Sequence, residues 1–432
     1  MSKEEDTFVP KEWIENPSSI PPLDASNELA SEKEPEVGMM VSEDKDMVQE
    51  FDSENANEVL LFGGGFLGSH VVLKLMGNPN TRVTVIDESD PISIMYNPDL
   101  SFIWNKVADR ITLKHSSFND LENVRELLTK TKFNNVVFAH SVNDKNWIVD
   151  NPVNAAHINI IFTSQVIDML RRYEFNGRLV HLSSWSVYGA QDLNNIPFKE
   201  NLAPNPISFR GGIRLAQENI IRTMCKQYGI IYNILRPGTI CGGYTGKDNF
   251  LSTFVKSALL HETLLLHDGG KQTRDAVAVS DVMWVVNRLI NAKTDEKDIN
   301  NQVFNVGNNN KFNLSLNQLR THELSVVHYA NSVITLIRKL HPDQNLNTIK
   351  TTTTNPENKL RVFLDNKKTH DLLGYIPDLT AIDIISNVAM FVAEFVVNAS
   401  EADKLLIRKS VKTIGERTTA DDNKRIAINS SG

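Results

Sequence analysis

The stretch Glu58-Val-Leu-Leu-Phe-Gly-Gly-Gly-Phe-Leu-Gly-Ser-His70 limits what this chain can fold into more than any other. Val59 to Phe62 form a short apolar run with strand character. Gly63, Gly65 and Gly68 follow with G-x-G-x-x-G spacing, and Val71, Val72, Leu75 and Met76 then recur at helical intervals. Strand, glycine turn, helix is the order that a dinucleotide site requires. Glycines let the backbone turn tightly and let a pyrophosphate come close, while the helix start offers N–H groups and partial positive charge. Alone, the same letters also fit an ordinary glycine turn in any α/β protein. The segments that follow decide between the two.

Arg82-Val-Thr-Val-Ile-Asp87 is a β-branched run ending in an acid 24 positions beyond Gly63. A carboxylate at the end of a second strand accepts hydrogen bonds from ribose hydroxyls and repels a 2′-phosphate, which predicts NAD rather than NADP. Strand-like and helix-like segments then alternate: a strand at 111–113, a helix at 121–128, a strand at 136–139, a helix at 152–172, a strand at 179–182, a helix at 206–228 and a strand at 230–235. Units of this length predict an α/β fold with a doubly wound, Rossmann-type parallel sheet. Beyond it, an Asn- and Thr-rich stretch at about 310–360 breaks the rhythm around a helix expected at 323–340, and a last helix is expected at 381–397. The expected organisation is an acidic, disordered tail at 1–56 and a dinucleotide-binding domain at 57–242 with contributions from about 270–308. A smaller, mainly substrate-binding region at 243–398 and a flexible tail at 399–432 complete it.

Charge narrows the partners. Residues 1–56 hold 16 acidic and 4 basic residues, net −12, which leaves 37 acidic and 41 basic residues, net +4, in the remainder. A nearly neutral folded part gives no basis for nucleic-acid binding. Within the tail the apolar residues are Phe8, Val9, Trp13, Ile14 and a short patch at 39–41; the tail reads either as a solvated leader with no partner or with Phe8-Val-Pro-Lys-Glu-Trp-Ile14 as a docking motif for a protein partner. No apolar run approaches the roughly 18 residues of a membrane span. Two cysteines, Cys225 and Cys241, imply neither a disulfide framework nor a metal site. With no signal-peptide core and an acidic start, the expected location is the cytoplasm.

Several motifs in order carry a family resemblance over roughly residues 58–398. Gly63-Gly-Gly-Phe-Leu-Gly-Ser-His70 is similar to a cofactor loop, Leu182-Ser-Ser-Trp-Ser-Val-Tyr-Gly189 to a strand-five segment and Leu235-Arg-Pro-Gly-Thr-Ile-Cys-Gly242 to a strand-six signature. Asp268-Gly-Gly-Lys-Gln-Thr-Arg-Asp275 with Asp281, Asn305-Val-Gly307 and Leu372-Leu-Gly-Tyr-Ile-Pro377 fit the closing signatures. Together they resemble the extended short-chain dehydrogenase/reductase family, the NAD-dependent nucleotide-sugar epimerases and dehydratases. The resemblance implies cofactor contacts at Gly63, Gly65, Phe66, Leu67, Gly68, Asp87, Ser117, Ala139 and Arg214, and substrate contacts at Thr239 and at Arg274, a phosphate clamp. It also implies a catalytic Ser at Ser184, no metal, and a homodimer built on helices 152–172 and 206–228. On the first helix Ile160, Ile161, Val166 and Met169 are the compatible apolar residues.

The departures concern chemistry. In that family a Tyr moves the proton as hydride passes to or from the nicotinamide, and a Lys four residues on holds the ribose and lowers the Tyr pKa. Here the two positions are Arg210 and Arg214. Arginine is no general base near neutral pH, because its pKa exceeds about 12, although Arg214 can still donate to a ribose. Tyr188 is the nearest acid/base stand-in. Further, the family's first glycine is Phe62, its adenine-side Asp is Ser117, its turn after strand four reads Ala139-His140-Ser141, and its strand-six Asn is Thr239. These departures predict an NAD-binding protein, with a nucleotide-sugar-like ligand, that lacks standard hydride transfer and acts as a binding, regulatory or structural subunit. The alternative is an active epimerase, dehydratase or decarboxylase with a rebuilt acid/base, Ser184 acting with Tyr188 or with a substrate-derived base. A third reading is that Phe62 crowds the loop and excludes the dinucleotide.

Overall fold

The computed structural model describes residues 56–89, 94, 97–140, 145–242, 249–309, 323–340, 349–352, 360–398 and 404. The Phe8–Ile14 motif and nearly all of 399–432 lie outside these residues. Seven strands make one parallel sheet. In chain order they are β1 (Asn57–Phe62), β2 (Thr81–Asp87), β3 (Ile111–His115), β4 (Asn135–Phe138), β5 (Arg178–Leu182), β6 (Ile231–Pro237) and, last to join, Gln302–Val306. The spatial order runs from that last strand through β6, β5, β4, β1 and β2 to β3. The order reverses beside β1, and in an open α/β sheet ligands bind at the carboxyl ends of the strands at such a reversal. Phe62 is level with both Ile86 and Phe138, so β1, β2 and β4 end together there.

Sheet burial explains the near-continuous apolar strands. Side chains alternate across β1. Val59 and Leu61 pack with helix α1 (Phe66–Met76), while Leu60 and Phe62 enter a second core with Phe118, Phe138 and Phe162. Both faces are covered, so every position favours an apolar residue. On α1 the inward residues Gly68, Val71, Val72, Leu75 and Met76 follow helical spacing.

The helix expected at 152–172 is present with an interruption: α2 (Pro152–Ala156), a π-helical turn (His157–Ile161) and α3 (Phe162–Arg172). Side chains compete here for main-chain acceptors. Asn159 Nδ2 donates to Ala155 O at 2.7 Å and Thr163 Oγ1 to Asn159 O at 2.7 Å, and such intrusion widens a helix. The next long helix, α4 (Phe209–Tyr228), starts at Ser208, which accepts from Gly211 N–H, and ends at the left-handed Gly229.

A third core lies in the C-terminal part. Helices α5 (Phe250–Leu259), α6 (Val326–Leu340) and α7 (Ala381–Asn398) pack with Leu264 and Leu266 of β7 (Leu264–His267). The separation is incomplete: Leu373 and Tyr375, within the region expected to serve the substrate, pack in the α1-side core of the sheet.

Candidate cofactor and active site

The glycine turn has a separate constraint at each position. Gly63 sits at φ +96° and donates to Ile86 O at 2.8 Å; a Cβ there would lie 2.6 Å from His140 N. At Gly68 a Cβ would lie 1.9 Å from Gly63 O, so α1 can pack against the turn only without a side chain. Gly65 is different, because a Cβ there meets nothing within 4 Å. Its missing side chain opens space at the start of α1, which carries no side-chain cap, and first-turn amides beside open space form an anion cradle. The residues therefore fit a dinucleotide pyrophosphate. Phe66 and Leu67 form the first turn of α1, and Ala139 N–H donates to Phe62 O at 2.9 Å beside it.

Phe62 does not crowd this turn. Its ring is buried on the other face, 5.4 Å from the Phe138 ring and 5.3 Å from that of Phe162. His140 joins the same cluster, edge-on to Phe138 and Phe162. Burial, with help from the Arg214 charge, pushes its pKa down to about 3, so its imidazole is neutral.

Asp87 lies at the end of β2 as expected. Its Oδ2 accepts from Gly64 N–H at 2.5 Å and its Oδ1 from Ser89 N–H at 2.7 Å. The carboxylate is thereby tied to the glycine turn. The neighbouring Glu88 was not singled out by the sequence. Its Oε1 accepts from Ser117 Oγ at 2.9 Å and from Phe118 N–H at 2.8 Å. The adjacent Asp87 was the only signal for it.

After β5, the 3-10 turn Trp185–Val187 is capped by Ser184, whose Oγ accepts from Ser186 N–H at 3.1 Å. The first turn of α4 lies against it: a Cβ on Gly211 would be 2.6 Å from Ser186 O. This brings Arg210, partly exposed, and Arg214 to the strand-five turn. Arg214 is only 5% exposed and donates to Leu182 O at 3.2 Å and to Gln217 Oε1 at 3.3 Å. Burial, reinforced by the Arg210 charge, lowers its pKa to about 10, which still leaves it a cation at neutral pH. Gln217 also donates to Thr163 Oγ1 at 3.0 Å, so the position expected to carry a Lys is knitted into the sheet.

Tyr188 is packed beneath the turn. Its hydroxyl donates to Asn305 Oδ1 at 2.7 Å, its ring faces the Arg236 guanidinium at 4.8 Å, and it is wholly buried. Burial raises its pKa, against the direction a proton-transfer group needs near neutrality. Arg236 in turn pairs with Glu218 at 2.7 Å, and Ser183 Oγ donates to the same carboxylate at 2.5 Å. Thr239 donates its N–H to Asp275 O at 2.6 Å, and Arg274 stacks over Trp185 at 5.6 Å while donating to Thr273 O. The structure thus brings Ser184, Arg210, Arg214 and Arg274 to one turn and places Tyr188 beneath it. Among the described residues no three His, Cys, Asp or Glu side chains are grouped to hold a metal ion.

The family model described as the NAD dependent epimerase/dehydratase family matches residues 59–307. A dTDP-glucose 4,6-dehydratase of Mycobacterium tuberculosis is 26% identical over 230 residues, 53% of this chain and 66% of that protein. Among solved structures, a UDP-glucuronic acid 4-epimerase from Bacillus cereus, in complex with UDP-glucuronic acid and NAD, superimposes with a TM-score of 0.64 at 20% identity, covering 78% of this chain and 99% of that one. The dTDP-glucose 4,6-dehydratase DesIV from Streptomyces venezuelae, with NAD bound, gives 0.64 at 20% identity, covering 79% and 97%.

Proposed function

We infer that this chain, which belongs to the NAD dependent epimerase/dehydratase family, binds NAD at the glycine turn and a nucleotide-sugar-like ligand beside Arg274, without standard hydride transfer. It serves as a binding, regulatory or structural subunit. One observation carries the reading: arginines occupy the two positions where the resemblance puts the proton-transferring Tyr and its Lys, and the nearby Tyr188 is buried with its hydroxyl given to Asn305. Gly65, the uncapped start of α1 and Asp87 support cofactor binding. When bound, NAD would accept hydride; Arg210 at the Tyr position and a Tyr188 hydroxyl given to Asn305 leave that transfer without its standard proton acceptor.

The test uses natively purified full-length protein. Mass spectrometry of the denatured supernatant is expected to show co-purifying NAD. Incubation with UDP-glucose, UDP-glucuronic acid or dTDP-glucose is expected to give neither bound NADH absorbance nor a converted sugar. Turnover at ordinary enzymatic rates would falsify the reading and favour a rebuilt acid/base.

Three further elements belong to the same proposal. A homodimer through α2–α3 and α4 fits the exposure of Val153, Ile161 and Phe209, whereas Val166 and Met169 are consumed by the protein's own core. A protein partner for the acidic tail fits its apolar island. A reducing, cytoplasmic setting fits two buried, unpaired cysteines.

A further inference from the structure

We propose that Glu88 is the residue that reads the adenine ring of the dinucleotide, through its second carboxylate oxygen. The inference rests on the NAD reading above. Glu88 follows directly on the last residue of β2, and the two adjacent carboxylates reach different neighbours. Asp87 turns to the glycine turn through Gly64 N–H. Glu88 turns to the loop after β3, where Oε1 collects the Ser117 hydroxyl at 2.9 Å and the Phe118 amide at 2.8 Å. Its own carbonyl lies 2.8 Å from His115 Nε2. Two donors of the loop after β3 therefore hold Oε1, with His115 at the main-chain carbonyl, and among the described residues Oε2 accepts nothing.

The placement compensates for a specific loss. Position 117, where the resemblance expects an acid on the adenine side, carries a serine, which has no carboxylate to offer a base. That serine instead donates to Glu88, so a carboxylate arrives at the same loop from the neighbouring strand. An ionised carboxylate only accepts hydrogen bonds. The exocyclic N6 amino group of adenine donates, whereas a 6-oxo group in its place only accepts. Glu88 therefore selects adenine over hypoxanthine.

Full-length protein is titrated calorimetrically with NAD and with nicotinamide hypoxanthine dinucleotide. The wild type is expected to prefer NAD by about 10-fold or more, as for a charge-assisted hydrogen bond. Glu88→Gln keeps an acceptor for Ser117 and Phe118 but presents an N–H where Oε2 was, so its preference should fall to within about 2-fold. Glu88→Asp, which shortens the reach, should lose preference while keeping the charge. A wild type that does not discriminate, or a Glu88→Gln protein that still prefers NAD as strongly, overturns the assignment alone. If the wild type binds neither dinucleotide, the NAD reading falls and this inference falls with it.

Discussion

Single residues decide how the site can be tested. Phe62 replaces a glycine of the family loop, yet its ring serves the core between Phe138 and Phe162. Restoring the glycine should therefore harm the protein: Phe62→Gly is expected to cost about 3–5 kcal/mol, as for truncating a buried Phe, read from urea unfolding. The amount of co-purifying NAD per folded molecule should not rise. Tyr188→Phe removes a buried donor from Asn305 and should cost on the order of 1–3 kcal/mol, with no change in any ligand conversion. A drop in conversion of about 100-fold would restore Tyr188 as an acid/base. Asp275 gives a pH signature. Burial raises its pKa from 3.8 to about 6, against two backbone N–H groups that pull the other way. A folded pKa above the unfolded one means stability that is complete below about pH 4 and is lost as pH rises through about 6, roughly 3 kcal/mol in all. Between pH 4 and 7 the wild type should lose roughly 3 kcal/mol more unfolding free energy than Asp275→Asn; equal losses would remove Asp275 as the cause.

Elements show where sequence reading succeeds and where it stops. The turn from β1 into α1 and the acid ending β2 were legible, because strand, glycine spacing and helix are all local. Helix Pro98–Val107 was overlooked although its start is written plainly: Asn97 accepts from Asp99 and Leu100 N–H with Pro98 at the first position. Glu88 could not be read, because its partners Ser117 and Phe118 are about 30 residues away and meet it only once β2 and β3 pair. The destination of the Phe62 ring was likewise hidden, since alternation fixes that it turns away from Leu61 but not what awaits it. The Arg210 and Arg214 departure is what the family resemblance implies, while the hold of Arg214 on Leu182 O was not legible at all. Between elements, the buried Glu218–Arg236 pair fastens α4 to β6. Glu218→Gln leaves the guanidinium without a counter-charge and should destabilise by about 3–5 kcal/mol. Replacing both partners with apolar residues should cost less than the single change, measured by the same unfolding assay.

At the scale of the molecule, the sheet is closed by distant sequence. Asp275 accepts N–H groups from Asn308 and Leu364, Asn305 is held by Phe198 O and Asp365 O, and Tyr375 donates to Gly307 O at 2.8 Å. Leu373 and Tyr375 complete the core that β1 begins at Val59. About 300 residues separate those ends of one core. At the usual pace of synthesis that is on the order of 15–60 s during which the nascent nucleotide half has an open flank. A chain stopped before residue 360 would lack Leu364, Leu373 and Tyr375, and is expected to partition into the pellet more than the full chain when both are expressed and centrifuged.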